Sequence, residues 1–275
     1  MHNATFQWFP ETAPGGLAET GPLGAEDPVL AREAPFRVEL LRSAQQKDQA
    51  FRLRHQLFAE TLHWVPEVPS GLEMDGYDSF TEMIGILDSQ RRVLGQVRMH
   101  ESGVPYMIER EFATVLGEGL LPLKGRDTAE ITRFGLAPEA RSLVVRTLQG
   151  EYDLTSLMLK GIYHWCLPRG VRTVFAVVDH RFLRLLHLRG FPFEAMAEPK
   201  RMPDGVVALA IRLDWSRFEA QCRERRPALL AWFVLGPDPT RRKRSPVREA
   251  PAVPVSRPWP PLGAGSPHPA FAQYS

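Results

Sequence analysis

The chain has 275 residues, of which 44% are hydrophobic and 24% charged, which is typical of one globular domain with additional tails. Its formal net charge of +2 is too small to indicate nucleic-acid binding, and no apolar run reaches the roughly 18 residues of a membrane-spanning helix. With only two cysteines, Cys166 and Cys222, a disulfide framework is excluded and a reducing cytoplasm is expected. The N-terminus lacks the basic and apolar stretches of a secretory signal, so export is not expected.

Both ends of the chain differ in composition from its middle. Residues 1–35 are rich in Pro, Gly and Glu without periodicity, which predicts a mobile N-terminal arm. Residues 231–275 combine many prolines with the basic run RRKRSPVR, and proline at this density blocks helices and central strands. A disordered basic tail is therefore predicted there, and the folded domain is expected over residues 36–230.

The middle of the chain alternates strand and helix patterns. FRVELLRS predicts a strand, AQQKDQAFRLRHQLFAETL a helix with Ser43 as N-cap, and EMIGILDS with RVLGQVRMHES a hairpin. YMIEREFATVL fits a short helix, AEITRFGLA a strand, and DLTSLMLKGIYHWCLPRG a helix closed by Gly170. VRTVFAVV, HRFLRLLHLRG and GVVALAIRLDW predict a buried strand, a helix and a last strand. This order predicts a three-layer α/β sandwich with a mixed sheet.

Glu130 and Arg133 place two charges within the apolar strand AEITRFGLA. An unpaired charge in such a strand costs several kcal/mol, so partners are expected nearby. Because the two residues are three apart, a regular strand would direct them to opposite faces of the sheet. Either the strand contains a bulge or the two side chains act on two sides of it.

Candidate partners precede this strand in the chain. Arg54 and Phe58 are four apart and share a helix face, Trp64 follows the helix, and Asp75 and Asp78 lie in a glycine-containing loop. Taken singly, the aromatic residues are explained as core and the aspartates as turn and cap residues. Taken together, the five form an aromatic, cationic and anionic set suited to a zwitterionic amino-acid ligand that carries an aromatic base.

Several enzyme classes lose support because their motifs are absent. The sequence contains no GxSxG, no Walker-type phosphate loop, no GxGxxG and no HExxH. Hydrolase, kinase, dinucleotide dehydrogenase and zinc-protease hypotheses are therefore not favoured, and no metal is expected.

Five ordered motifs, LRHQLFAETLHW, EMDGYDSF, GQVRM, PYMIEREF and EITRFGL, resemble the acyl-homoserine-lactone synthases, the LuxI-type autoinducer synthases of bacterial quorum sensing. The resemblance covers about residues 36–215. The positions that match the family's near-invariant residues are Arg54, Phe58, Trp64, Asp75, Asp78, Arg98, Phe112, Glu130 and Arg133.

The resemblance implies a GNAT-like three-layer α-β-α sandwich with a mixed, mostly antiparallel central sheet. It also implies transfer of an acyl group from acyl carrier protein or coenzyme A to the amine of S-adenosylmethionine, followed by lactone closure and release of methylthioadenosine. S-adenosylmethionine is then a substrate, and no cofactor is expected. The GNAT pyrophosphate loop is not evident in LAPEARSLVVRTLQG, which suits a carrier-protein donor and leaves coenzyme A open.

The resemblance further implies two groups of site residues. The first group takes part in catalysis, with Glu130 as the base that frees the amine; its members are Glu130, Arg133, Asp78 and Asp75. The second group binds substrate, with backbone amides near Phe112 stabilising the thioester oxyanion; its members are Arg54, Phe58, Trp64, Arg98 and Phe112.

Two alternatives remain open from the sequence. A GNAT-like N-acyl amino acid synthase of the exosortase-associated type would acylate an amine without releasing methylthioadenosine. A catalytically inactive binding module of the same fold would tolerate substitution at the charged positions and use the basic tail for interaction.

Overall fold

The computed structural model describes residues 29–116, 124–202 and 205–237. The strands in these ranges are β1 (Val29–Glu33), β2 (Phe36–Leu40), β3 (Glu82–Leu87), β4 (Val93–Glu101), β5 (Thr128–Leu136), β6 (Val144–Thr147), β7 (Gly150–Asp153), β8 (Thr173–Asp179), β9 (Glu194–Ala195), β10 (Lys200–Arg201) and β11 (Val207–Asp214). The α-helices are α1 (Ala44–Arg54), α2 (Leu154–Cys166), α3 (His180–Leu188), α4 (Trp215–Arg225) and α5 (Pro227–Phe233). No described helix is long and apolar enough to span a bilayer.

One large sheet has the strand order β1-β2-β3-β4-β5-β8-β11-β10, with β9 also paired to β11, and β6 and β7 form a separate hairpin. All pairs are antiparallel except the central pair of β5 and β8. Val38 and Glu39 are successive residues of β2 and therefore point to opposite faces. Val38 packs at Gly161 of α2, and Glu39 bonds to Gln46 of α1, so the two helices cover opposite faces. The predicted sandwich with a mixed, mostly antiparallel sheet is confirmed.

The parallel strands β5 and β8 diverge in the middle of the sheet. They pair only between residues 128–131 and 173–176. Farther along, β5 pairs with β4 and β8 pairs with β11, with no further pairing between the described residues of β5 and β8 themselves. A crevice beyond the carboxyl ends of parallel strands is a frequent ligand position in α/β folds.

Strand β5 contains a bulge at Arg133. His100 of β4 lies opposite Glu130 and Arg98 opposite Thr132, whereas Gln96 lies opposite Gly135. Two residues of β5 therefore face the single residue between Gln96 and Arg98, which is the definition of a bulge. Arg133 has a φ of 55°, in the left-handed region. Of the two alternatives left open by the sequence, the structure has the bulge.

Other elements differ from the sequence predictions. The helix that begins at Ala44 continues beyond Arg54 as a π-helical turn, His55–Thr61. YMIEREFATVL forms two short 3₁₀ turns, Met107–Glu109 and Ala113–Val115, instead of one helix. Its apolar side chains are buried together against β8 and β11. The amides of Met107 and Ile108 donate to Glu130, a distant residue that the local apolar period does not reveal.

The described region also extends past the predicted domain limits. Strand β1 lies within the segment predicted as a mobile arm, and α5 continues beyond residue 230. Residues 1–28 and 238–275, which make up the rest of the predicted arm and tail, lie outside the described residues.

Candidate functional site

A buried cluster of alternating charges lies where α1, the loop before β3, β4 and β5 meet. It contains three arginines and three carboxylates, so the formal charges cancel; the members are Arg54, Arg98, Arg133, Glu73, Asp75 and Asp78. Pairing of this kind is what allows charges to remain away from water, because an unpaired buried charge is strongly unfavourable.

Arg54 projects from the last turn of α1 and is fully buried. Its Nε donates to Glu73, and its Nη1 donates to Asp78 Oδ1 at 2.6 Å. The Nη2 group has no hydrogen-bond partner among the described residues, and Asp75 Oδ2 lies 3.9 Å from it. Arg54 thus holds both ends of the acidic loop.

Arg98 is also fully buried and binds the same loop from β4. Its Nη1 donates to Asp75 Oδ1 at 2.5 Å and to Asp78 Oδ1 at 3.0 Å. The loop is further shaped by its own capping box, in which Asp75 accepts from the Tyr77 amide and Asp78 from the Asp75 amide, at 2.9 and 2.8 Å. The aspartates are therefore fixed before any ligand binds.

Arg133 connects the cluster to an aromatic pair. Its Nη2 donates to Glu73 Oε1 at 2.9 Å and to Asp75 Oδ2 at 3.1 Å. Its guanidinium lies 5.7 Å from the ring centroid of Phe58, which stacks on Trp64 with centroids 6.1 Å apart. This side of the cluster is open, because the side chains of Arg133 and Asp75 are 14% and 24% exposed and Trp64 is 42% exposed.

The carboxylates of the cluster are held in the ionised form. Burial alone would raise the pKa of Glu73, but Arg133 and Arg54 outweigh burial and lower it. In the same way, burial opposes but Arg98, Arg133 and Arg54 together lower the pKa of Asp75. Both groups are consequently anionic at neutral pH.

Glu130 lies on the same sheet row as His100 but makes different contacts from the arginine cluster. Its side chain is buried, and its two oxygens accept from the amides of Met107 and Ile108 at 2.6 and 2.8 Å. Burial raises its pKa to about 8 against the opposing effect of these two donors. Glu130 therefore holds the Met107–Glu109 turn and has a proton affinity suited to exchange near neutral pH.

Phe112 packs against a second apolar cluster, which includes Tyr106, Ile108 and Phe175. Its amide donates to Met107 O at 3.0 Å. The Phe112 amide is therefore already engaged, and Phe112 itself offers no free donor for the oxyanion that was expected near it.

Sequence reasoning missed Glu73, Gln96, His100 and Thr132. Glu73 accepts from Arg54 and Arg133. The number of charges could have indicated it, because the three arginines of the cluster need three carboxylates and Glu130 binds elsewhere. Gln96 donates to the carbonyl of Arg133 and so fastens the bulge. No sequence pattern marks Gln96, because a buried glutamine on a strand has no periodic signature.

The two cysteines are unpaired and buried, and no described group of His, Cys, Asp and Glu side chains is arranged to hold a metal ion.

Comparison with known proteins places these residues in a family. The family model described as "Autoinducer synthase" matches residues 38–222, which include every residue of the charged cluster. An acyl-homoserine-lactone synthase of Rhizobium radiobacter is 29% identical over 177 residues, covering 63% of this chain and 82% of the relative. One from Aeromonas hydrophila is 26% identical over 161 residues, covering 58% and 76%.

A solved structure shares the fold. The CoA-dependent acyl-homoserine lactone synthase BjaI, solved with SAM and isopentyl-CoA, superimposes with a TM-score of 0.55 at 24% identity. The likeness covers 68% of this chain and 80% of BjaI.

Proposed function

Because this chain belongs to the autoinducer synthase family, we propose that it is an acyl-homoserine-lactone synthase that makes a quorum-sensing signal. It transfers an acyl group from a thioester of acyl carrier protein or coenzyme A to the amine of S-adenosylmethionine. The acylated intermediate then closes to the lactone and releases methylthioadenosine. Adenosylmethionine is a substrate, and the reaction requires no cofactor.

The observation that carries the proposal is the open side of the charged cluster. Asp75 and Arg133 offer opposite charges 3.1 Å apart at its partly exposed edge, beside the stacked Phe58 and Trp64. An α-amine fits the carboxylate and an α-carboxylate fits the guanidinium, while the adenine and sulfonium fit the aromatic surfaces. The buried residues of the cluster hold Asp75 and Arg133 in place; they are Arg54, Asp78 and Arg98.

We propose that the acyl chain binds where the pairing of strands β5 and β8 ends. Phe134 of β5 and Phe182 of α3 contact each other beside it, with ring centroids 5.3 Å apart. Phe112 packs against the second apolar cluster, which includes Phe175 of β8. An apolar crevice next to a charged nucleophile site suits a fatty thioester.

The first chemical step is attack of the amine nitrogen on the thioester carbonyl. The amine must first lose a proton, and Glu130 accepts it through a water molecule, since its carboxylate is surrounded by the turn rather than by the cluster. A nitrogen–carbon bond forms, the carbon–sulfur bond breaks, and the departing thiolate takes the second proton that the nitrogen loses, leaving as the thiol. Arg133 and Asp75 keep the amino acid oriented during this step.

The second step is an intramolecular displacement. The substrate carboxylate attacks its own γ-carbon, an oxygen–carbon bond forms, and the bond to the sulfonium sulfur breaks with release of methylthioadenosine. Since the sulfonium is already a good leaving group, positioning is the main requirement. Two buried, unpaired cysteines are compatible with the reducing cytoplasm in which we place this reaction.

The test is to incubate the purified full-length protein with adenosylmethionine and series of acyl-CoA and acyl-carrier-protein thioesters. We expect a lactone by mass spectrometry and methylthioadenosine in equal amount. An N-acyl amino acid without methylthioadenosine would instead establish the N-acyl amino acid synthase alternative. Failure of every donor would support the inactive binding module.

A matched pair of variants tests the site. Asp75→Asn removes the charge at the open edge and leaves its partner arginines underpaired, so kcat/KM for adenosylmethionine should fall roughly tenfold to a hundredfold. Asp48→Asn is the control, because Asp48 pairs with Arg52 on the exposed side of α1. Equal kinetics of the two variants would contradict the proposed site.

A further inference from the structure

The hydroxyl of Thr132 lies between Arg98 and His100, two fully buried side chains of β4. Arg98 Nε donates to Thr132 Oγ1 at 3.0 Å, and His100 Nε2 lies 2.9 Å from the same oxygen. On the other side of the ring, His100 Nδ1 lies 3.2 Å from the carbonyl oxygen of Pro105. A continuous hydrogen-bonded path therefore runs from the charged cluster to the residues just before the Met107–Glu109 turn.

The donors and acceptors on this path can be assigned completely. The Pro105 carbonyl can only accept, so the proton of the neutral His100 ring is on Nδ1 and donates to it. His100 Nε2 is then an acceptor, so the Thr132 hydroxyl donates to it while its oxygen accepts from Arg98 Nε. Burial, with the nearby charge of Arg98, lowers the pKa of His100 to about 3, which agrees with a neutral ring.

The far end of the path reaches Glu130. Two residues after Pro105, the amides of Met107 and Ile108 bind the Glu130 carboxylate. Arg98 Nη2 also lies 3.0 Å from Met107 Sδ, and the Tyr77 ring packs on both Arg98 and His100. The position of the turn that binds the Glu130 carboxylate is thus tied to the position of Arg98.

We infer that His100 and Thr132 are positioning residues for acyl transfer, which hold the adenosylmethionine-binding cluster in register with the turn that fixes Glu130. This inference rests on the proposed function. Neither side chain hydrogen-bonds to the reacting atoms, since His100 Nδ1 is 3.9 Å from Glu130 Oε2; the two residues act through Arg98 and the Pro105 carbonyl. A displaced base lowers the rate of the chemical step, whereas ligand binding at the open edge depends on Asp75 and Arg133.

The first test compares two variants of Thr132 in the full-length protein. Thr132→Val keeps the shape but leaves Arg98 Nε and His100 Nε2 without their partner, so kcat should fall about tenfold to a hundredfold. The dissociation constant for adenosylmethionine, measured by calorimetry, should change less than about threefold. Thr132→Ser keeps the hydroxyl and should restore kcat to within about threefold of the wild type.

A second pair separates the two ends of the path. His100→Asn keeps a donor near the Pro105 carbonyl and loses the acceptor for Thr132, while His100→Gln keeps the acceptor and loses the donor. We expect both to lower kcat about tenfold or more, because both links are needed. This pair also serves if Thr132→Val does not fold.

The stability control is Thr155→Val, which changes a buried threonine of α2. It can lower the melting temperature but should leave kcat unchanged. A folded Thr132→Val, His100→Asn or His100→Gln protein with wild-type kcat would overturn the inference. A wild-type protein that makes neither lactone nor methylthioadenosine would instead overturn the proposed function, so the two failures are distinguishable.

Discussion

At the scale of single residues, Arg133 shows how local backbone strain places a functional group. Its left-handed backbone, with φ of 55°, costs a non-glycine residue about 1–2 kcal/mol. Gln96 donates to its carbonyl, and Glu73 and Asp75 pair with its guanidinium. These contacts offset the strain and bring Arg133 to the cluster that Arg98 binds, which regular strand parity would not allow.

If Glu130 is the base, as proposed, it sets the expected pH dependence of the reaction. A base acts in its ionised form, and with a pKa of about 8 the ionised fraction of Glu130 rises from about one tenth at pH 7 to about nine tenths at pH 9. We therefore expect kcat/KM to increase with pH through this range. Glu130→Ala should abolish lactone formation, as measured by mass spectrometry.

The substrate amine titrates in the same range, so the variants are needed to assign the profile. Glu151→Gln, which changes an exposed carboxylate paired with Arg146, should keep the wild-type profile. Lactone formation by Glu130→Ala at the wild-type rate would show that Glu130 is not the base.

At the scale of elements, Gly135 lets the π-helical turn His55–Thr61 pack closely on strand β5, because glycine has no side chain. A Cβ at this position would lie 2.5 Å from Leu57 Cδ1 and 3.8 Å from Phe58 Cζ. Leu57 and Phe58 are buried in the π turn, and Phe58 carries the stacked Trp64. The close approach of turn and strand thus determines where the aromatic pair lies.

We expect Gly135→Ala to displace the π-helical turn and raise the KM for adenosylmethionine several-fold. Overpacking of this kind also costs about 1–3 kcal/mol of stability. Steady-state kinetics and thermal unfolding measure the two effects. Gly103→Ala is the control, because a Cβ there meets nothing within 4 Å; an unchanged KM in Gly135→Ala would refute the packing argument.

At the scale of the whole molecule, two elements outside the family match hold each other. Strand β1 precedes residue 38 and helix α5 follows residue 222. Glu33 of β1 accepts from Trp232 Nε1 of α5 at 2.7 Å and from Lys160 of α2. Trp232 also stacks on Tyr152 with centroids 3.9 Å apart. The folded domain therefore includes both ends of the described chain.

Two truncations test whether the contact between β1 and α5 stabilises the domain. Removing residues 238–275 deletes none of the residues of the described site, so activity and melting temperature should stay near the wild-type values. Removing residues 227–275 also deletes the buried Trp232, at a cost of about 3–5 kcal/mol, and should lower the melting temperature by roughly 10 °C. Calorimetry distinguishes them, and equal melting temperatures would show that α5 is dispensable.

Local patterns in the sequence determined much of this protein. The period of apolar residues predicted the order of the main strands and helices, and Ser43 does cap α1 through a capping box with Gln46. The residues Arg54, Asp75, Asp78 and Arg98 were recognised by motif, and they do meet in one cluster. These features depend on neighbours in the chain or on residue identity, which a sequence displays directly.

Only the tertiary structure decided how those residues are paired. Arg133 binds Glu73 across 60 positions of the chain, and Glu130 binds a turn 22 and 23 positions before it, away from the arginines. The bulge at Arg133 and the 3₁₀ turns could likewise not be predicted from the sequence, because they follow from burial and charge pairing between distant segments. Such contacts are selected by the free energy of the whole packed domain, which no local periodicity records.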